Sequence, residues 1–437
     1  MSLVRSAIGY AFRIRGEIIW VTIGQIAYFG GTALGIKLLT NFLGPHGYGE
    51  FALGLSFAGL LNLFAYGPLS QAVLRFFSIC RERGELPEYL ALARHAQIGI
   101  ALIIALLFVF AGGVTYVMFG KTWAAILMVS YVFGLATGIN STLLSLQTAL
   151  RERRSVALYQ AGDALLKPLL AIPFIYLLGG NGLSALIGYS VATALISVLL
   201  LRMALRHVTL TDAITKIANQ NTLRTLKHEL WSYSSPFIVF GGFATVSMYG
   251  DRWFLQQFLG SETVGIYVAI SQIASAPVVL LVTIVTQVVA PIMFERAGTL
   301  SSDDQKLRSS RLQRMTVGFT ALALTGYCML TYLVSEPLVR LFTTPTFATH
   351  HHLMWILTLG VCFFQIGQVL VLKGFYQNQP SVYILPKAIQ AVSFLVCITI
   401  VYRNPGVDGI AVSVLLSSIL YAASVAIVNR VNRGRLN

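Results

Sequence analysis

Apolar runs of twenty or more residues follow one another along nearly the whole chain, separated by short clusters of Arg and Lys or by brief Gly-containing breaks. An α-helix needs about 20 such residues to cross the hydrocarbon core of a bilayer, and any backbone that crosses it must satisfy its own hydrogen bonds. The chain is therefore restricted to a bundle of membrane-spanning helices. Composition agrees, because 56% of residues are hydrophobic and only 11% are charged, with a mean hydropathy of +0.74. In an ordinary soluble domain about a quarter of residues are charged. The net charge of +15 does not indicate nucleic acid, since the bases sit at the ends of apolar runs, where they orient the protein in the membrane.

Spans are predicted near 18–40, 49–74, 96–118, 122–148, 156–178 and 182–203, then near 233–255, 264–292, 314–334, 353–376, 381–402 and 407–429. The first run follows Arg5, Arg13 and Arg15 and is too long for a signal-peptide core, so it reads as a retained span. Charge tests this count independently, because a miscounted span would scramble the alternation of basic loops. Twenty-two Lys and Arg fall in one set of alternate segments, against Lys121, Arg340 and Arg403 in the other. Twelve spans with both termini in the cytoplasm follow. Three domains are expected: a six-helix lobe over 1–205, a linker over 206–231 and a second six-helix lobe over 232–437. In the linker Leu210, Ile214 and Ile217, then Leu223, Leu226 and Leu230, recur at helical spacing among polar residues, as in a helix lying in the membrane surface.

The two halves share a motif. Phe42-Leu43-Gly44 is followed after four residues by Gly49, one residue and Phe51; Phe258-Leu259-Gly260 is followed in the same way by Gly265 and Tyr267. Every position is offset by 216 residues, as are Gln71 and Gln287 at the far end of the next apolar run. Duplication of one unit explains this, with Gly permitting a tight turn between two spans. Duplicated membrane bundles are commonly transporters.

Removing the loop bases leaves six inside or at the edges of spans: Lys37, Arg75, Lys167, Arg252, Lys373 and Lys387. A base facing lipid at mid-span costs about 2.5–3.5 kcal/mol, so these should face protein or water, or lift their charge to the headgroups. Lys167 and Lys387 lie deepest, each beside a proline, and read as cavity residues that bind an anionic solute. Asp163 and Asp251 are the acids read inside spans; Asp163 is one helical turn before Lys167, and Asp251 adjoins Arg252. Each acid either neutralises its neighbour or binds a coupling ion, proton or sodium. No other cofactor is expected.

Weaker signals surround these. His350, His351 and His352 have no acidic or cysteine partners nearby in the sequence, so a loop end is read there rather than a metal site. The four cysteines are scattered and make no CxxC. Asn62, Gln71, Asn140, Gln147, Gln287, Gln365 and Gln368 are polar groups inside spans, open to interhelical bonding or to sugar recognition. No phosphate-binding glycine loop or triad spacing is present, and an enzyme is not expected.

With its paired FLG hairpins, and with Tyr249-Gly250-Asp251-Arg252 leading into the second of them, the chain resembles the polysaccharide flippases of Wzx type, relatives of the MATE exporters in the MOP superfamily. The resemblance implies an all-α integral membrane fold of two pseudo-symmetric six-helix lobes around a central cavity. It implies translocation of an undecaprenyl-diphosphate-linked oligosaccharide from the cytoplasmic to the periplasmic leaflet of a bacterial inner membrane. The partners implied are that lipid-linked oligosaccharide, membrane lipids, and a polysaccharide polymerase with its chain-length machinery, with no nucleic acid. Two alternatives stay open: a MATE-like multidrug exporter, whose cavity should be acidic, and a membrane-embedded polysaccharide polymerase or ligase.

Overall fold

The structure is a computed structural model that describes residues 2–150, 152–207, 220–297, 303–376, 380–401 and 406–434. Among the described residues it is helical with no strand, as a chain without water to satisfy its backbone requires. In order the helices are α1 Ser2–Leu61, α2 Gly67–Arg83, α3 Leu86–Phe119, α4 Lys121–Ala149, α5 Arg153–Leu178, α6 Gly182–His207, α7 Gln220–Ala297, α8 Asp303–Phe342, the short α9 Pro345–Ala348, α10 Leu353–Tyr376, α11 Ile384–Val401 and α12 Val407–Gly434. A π-helical turn, Asn62–Tyr66, joins α1 to α2. Prolines at the first turns of α2 and α3 need no donor there and preset the helical φ.

Ten stretches among the described residues are long and apolar enough to cross a membrane. Two of them, Ile19–Phe77 and Leu223–Gln287, are 59 and 65 residues long, far more than one crossing needs. Each is interrupted at the duplicated motif: Gly44 has φ 64° and ψ −178°, and Gly260 has φ 81° and ψ 174°. Both lie in a backbone region open essentially only to glycine. The number of crossings is thus ten to twelve, depending on whether each broken run is one span or two. The shared conformation shows the repeat at the level of single dihedral angles.

Packing divides the chain into two compact bodies that do not follow the sequence halves. One comprises Phe42–Thr245; the other combines Met1–Asn41 with Val246–Asn437. The first 41 residues therefore belong with the C-terminal helices, and the N-terminal part of α7 belongs with α2–α6. Sequence order could not show this, because a helix's own composition says nothing about which neighbours its small residues admit.

Inside the first body α6 packs extensively on α4 and α5. At Gly188 an added Cβ would lie 2.5 Å from Ala171 Cα and 2.8 Å from Leu170 O, so α5 and α6 touch backbone to backbone. Inside the second body α10 packs on α12, where Gly367 leaves room for the buried Tyr421 ring.

The predicted linker, 206–231, is described only in part. Residues 208–219, with Leu210, Ile214 and Ile217, lie outside the described residues. From Gln220 onward the chain is continuous with the seventh span, and buried Leu226 packs with Phe76, Cys80 and Tyr89, with Leu230 beside them. Its apolar face thus seats on protein, where burial is worth about 25 cal/mol per Å².

The motif also carries a buried carboxylate. Glu50 is 8% exposed, and its Oε2 accepts a hydrogen bond from Gly182 N at 3.1 Å, at the start of α6. An acid there satisfies an orphan donor and complements the helix dipole. Glu50→Ala is expected to cost about 1–2 kcal/mol. A thermal melt of the detergent-solubilised protein should show a fall of several degrees; an unchanged midpoint would refute the capping role.

Candidate functional site

In the body Phe42–Thr245 the charge site centres on α5. Lys167 Nζ lies 2.5 Å from Asp163 Oδ2, one turn away on the same helix face. The two side chains are 17% and 21% exposed, so the pair is shielded but reachable. Lys167 Nζ also stands 5.3 Å from the centre of the Phe133 ring on α4, a distance at which a cation is attracted by the ring face. The other carboxylate oxygen, Asp163 Oδ1, is buried with no hydrogen-bond partner among the described residues. It is an open acceptor beside a cation. On α2, Arg75 is exposed and within electrostatic reach of Tyr233.

In the other body the bases have different fates. Lys37 Nζ donates to Thr343 O at 3.0 Å and to Arg340 O at 3.5 Å, capping the C-terminal carbonyls of α8 as a cation near a helix end should. Lys373, 5% exposed, donates to Asn429 O at 2.7 Å. Asn429 also accepts from Tyr383 Oη at 2.6 Å and donates to Leu370 O at 3.0 Å, so Lys373 belongs to a knot that ties α10 to α12. Lys387, 2% exposed, donates to Gln390 Oε1 at 3.0 Å between the rings of Phe364 at 4.2 Å and Tyr421 at 4.4 Å. Two aromatic faces and an amide oxygen there do much of what water would do for an ammonium group. Arg252 stacks 5.3 Å from Tyr249, while Asp251 is buried, bonded to Arg252 N at 2.8 Å and within electrostatic reach of the Tyr267 hydroxyl. Tyr267 is the aromatic residue that closes the second copy of the motif.

The sequence matches the polysaccharide biosynthesis protein family over residues 14–296. The chain belongs to that family. No curated protein matches it. Among solved structures it is similar to the MATE transporter VcmN of Vibrio cholerae in the bent form, with 14% identity, 96% of each chain covered and a TM-score of 0.60. It is also similar to the outward-facing conformation of a multidrug resistance MATE family transporter of the MOP superfamily, with 13% identity, 96% of each chain covered and a TM-score of 0.66. The eukaryotic MATE transporter AtDTX14 matches with 11% identity, 98% of this chain and 99% of the other covered, and a TM-score of 0.66. At such identities the likeness is one of fold, and the fold is that of the two-lobed MATE transporters. A polysaccharide biosynthesis protein of this fold is a multi-pass membrane protein.

Within this polysaccharide biosynthesis protein, Lys167 lies beside Asp163 and Arg252 beside Asp251, while Lys373 and Lys387 contact α12 at separate places, Asn429 and Tyr421. Lys37 stands apart at the end of α8, and Arg75 apart on α2. Glu50 was missed as a third acid at the edge of a span; its place one residue after Gly49 in the repeat was the available signal. Three of the seven polar residues inside spans bond between helices: Asn62 donates to Thr137 Oγ1 at 3.1 Å, Asn140 to Thr193 O at 3.4 Å and Gln368 to Tyr421 Oη at 3.1 Å, whereas Gln147 is buried with no side-chain hydrogen bond among the described residues. Of the histidines, His351 contacts Ser335 at 3.0 Å and His352 contacts Asp408 at 2.8 Å. Among the described residues no three metal-ligating side chains converge. The arrangement offers cationic donors and carboxylate acceptors inside helices, which suits binding and release of a charged solute.

Proposed function

We infer that this polysaccharide biosynthesis protein moves an undecaprenyl-diphosphate-linked oligosaccharide from the cytoplasmic to the periplasmic leaflet of a bacterial inner membrane, by alternating access through a cationic cavity. The observation that carries this reading is the family match over 14–296 on a MATE transporter fold, in a chain whose spans hold six bases and few acids. A diphosphate needs charge-assisted donors inside the membrane, and Lys and Arg supply them. Lys167 and Arg252, each beside an acid and an aromatic ring, and the exposed Arg75 are the foremost candidates for contact with the diphosphate. Lys37, Lys373 and Lys387 are engaged in packing bonds. Asp163, with its open oxygen, and Asp251 are the candidates for a coupling proton or sodium.

Both termini lie in the cytoplasm, on the side of the basic loops. An inside-negative potential then favours outward movement of a diphosphate by about 2.3 kcal/mol per 100 mV for each charge carried fully across. Product handed over in the periplasmic leaflet passes to the polymerase and its chain-length machinery.

A second reading, export of cationic drugs, is favoured by the likeness to multidrug MATE transporters. A deletion strain separates the two. Lipid-linked repeat units accumulating in the cytoplasmic leaflet are the expected result. Drug hypersensitivity with normal polysaccharide would select the exporter, and accumulation in the periplasmic leaflet would select a polymerase or ligase.

A further inference from the structure

An apolar groove of about 600 Å³ lies among α2, α3 and the N-terminal part of α7, wholly within the body Phe42–Thr245. Its wall on α3 runs from Tyr89 to Ile103, about 21 Å at roughly 1.5 Å per residue. One leaflet of hydrocarbon is about 15 Å deep, so the groove reaches from headgroup level to about the bilayer centre. Beyond it α3 presents Leu106 and Phe110 at 74% and 75% exposure, an apolar surface suited to acyl chains.

One end is chemically distinct. Lys227 and Trp231, one turn apart on α7, line it there, and no carboxylate is among the lining residues. The nearby acid Glu229 is engaged by Arg83 at 3.1 Å, which leaves Lys227 for another anion. Trp231 is 64% exposed, the position of an indole that anchors at the membrane interface. This end belongs to the basic, cytoplasmic side of the protein.

We propose that the groove binds one acyl chain of an anionic glycerophospholipid from the cytoplasmic leaflet, with its phosphate against Lys227 and its glycerol region beside Trp231. The depth of a single leaflet fits such a lipid, whereas an undecaprenyl chain is longer than the groove. The site is separate from the α5 charge pair and does not depend on the identity of the transported solute.

The test uses the full chain with Trp231 as its single tryptophan, the other four replaced by Phe, in phosphatidylcholine vesicles containing brominated lipid. Brominated phosphatidylglycerol is expected to quench Trp231 at about fivefold lower mole fraction than brominated phosphatidylcholine, the effect of one basic contact. Lys227→Ala should remove the headgroup preference. Gly99→Leu should fill the groove and reduce quenching by both lipids, since nothing lies within 4 Å of a Cβ built there. A variant keeping only Trp123 should show no preference. Equal quenching by the two lipids, or a preference that survives both substitutions, would overturn the proposal. So would displacement of the brominated phosphatidylglycerol by an equal amount of undecaprenyl phosphate, which would give the groove to the isoprenoid instead.

Discussion

On the proposed flippase reading, Lys167→Ala is expected to cut export of lipid-linked oligosaccharide steeply while leaving insertion of the protein intact. Losing a charge-assisted bond to the diphosphate costs about 1.5–3 kcal/mol, or about tenfold to a hundredfold in transport rate. The substitution also strands Asp163 beside an empty position, since its Oδ2 now lies 2.5 Å from the ammonium group. The double variant Lys167→Ala/Asp163→Ala separates the two causes. If Lys167 only neutralised Asp163, removing both would restore export; if it binds cargo, the double variant stays inactive. Restored export, measured as surface polysaccharide in a deletion strain, would remove Lys167 from the binding path. Lys387→Ala makes a useful contrast. It would open a hole between the Phe364 and Tyr421 rings, so loss of thermal stability should accompany any loss of transport.

Gly188→Val is expected to be the most damaging single change to folding among the positions described above. Its Cβ alone would meet Ala171 Cα at 2.5 Å and Leu170 O at 2.8 Å, both backbone atoms that no rotamer change can move. The helices must separate, with an overpacking cost of about 3 kcal/mol or more. Gly113→Val is the control, because nothing lies within 4 Å of a Cβ there and only its helix propensity changes. Thermal unfolding in detergent should show a large drop or no folded protein for the first and a small shift for the second. A wild-type midpoint for Gly188→Val would mean that α5 and α6 are not in backbone contact.

The membrane bundle was legible because lipid acts on each residue separately, so that apolar length sets a span. The repeat was legible for a related reason. Gly44 and Gly260 hold φ and ψ values that only glycine tolerates, so the duplicated motif kept its glycines at those turns. The amphipathic stripe at Leu223–Leu230 was legible, but not what covers it. An amphipathic stripe looks the same whether its apolar side rests on headgroups or, as for Leu226, on Phe76, Cys80 and Tyr89.

The candidate site divides along the same line. Six bases inside spans could be counted from sequence, and Asp163 could be paired with Lys167 because both lie on one helix. Only the folded chain shows that Lys37 reaches Arg340 and Thr343, that Lys373 is committed to the Asn429 carbonyl of α12, or that Lys387 is held by Gln390 and the rings of Phe364 and Tyr421. It alone shows that residues 1–41 pack with the C-terminal helices. Hydropathy and charge are properties of a residue in a solvent, readable one position at a time. Whether a buried charge is committed to a neighbouring carbonyl or remains available to a ligand depends on contacts across hundreds of residues, which tertiary packing alone decides.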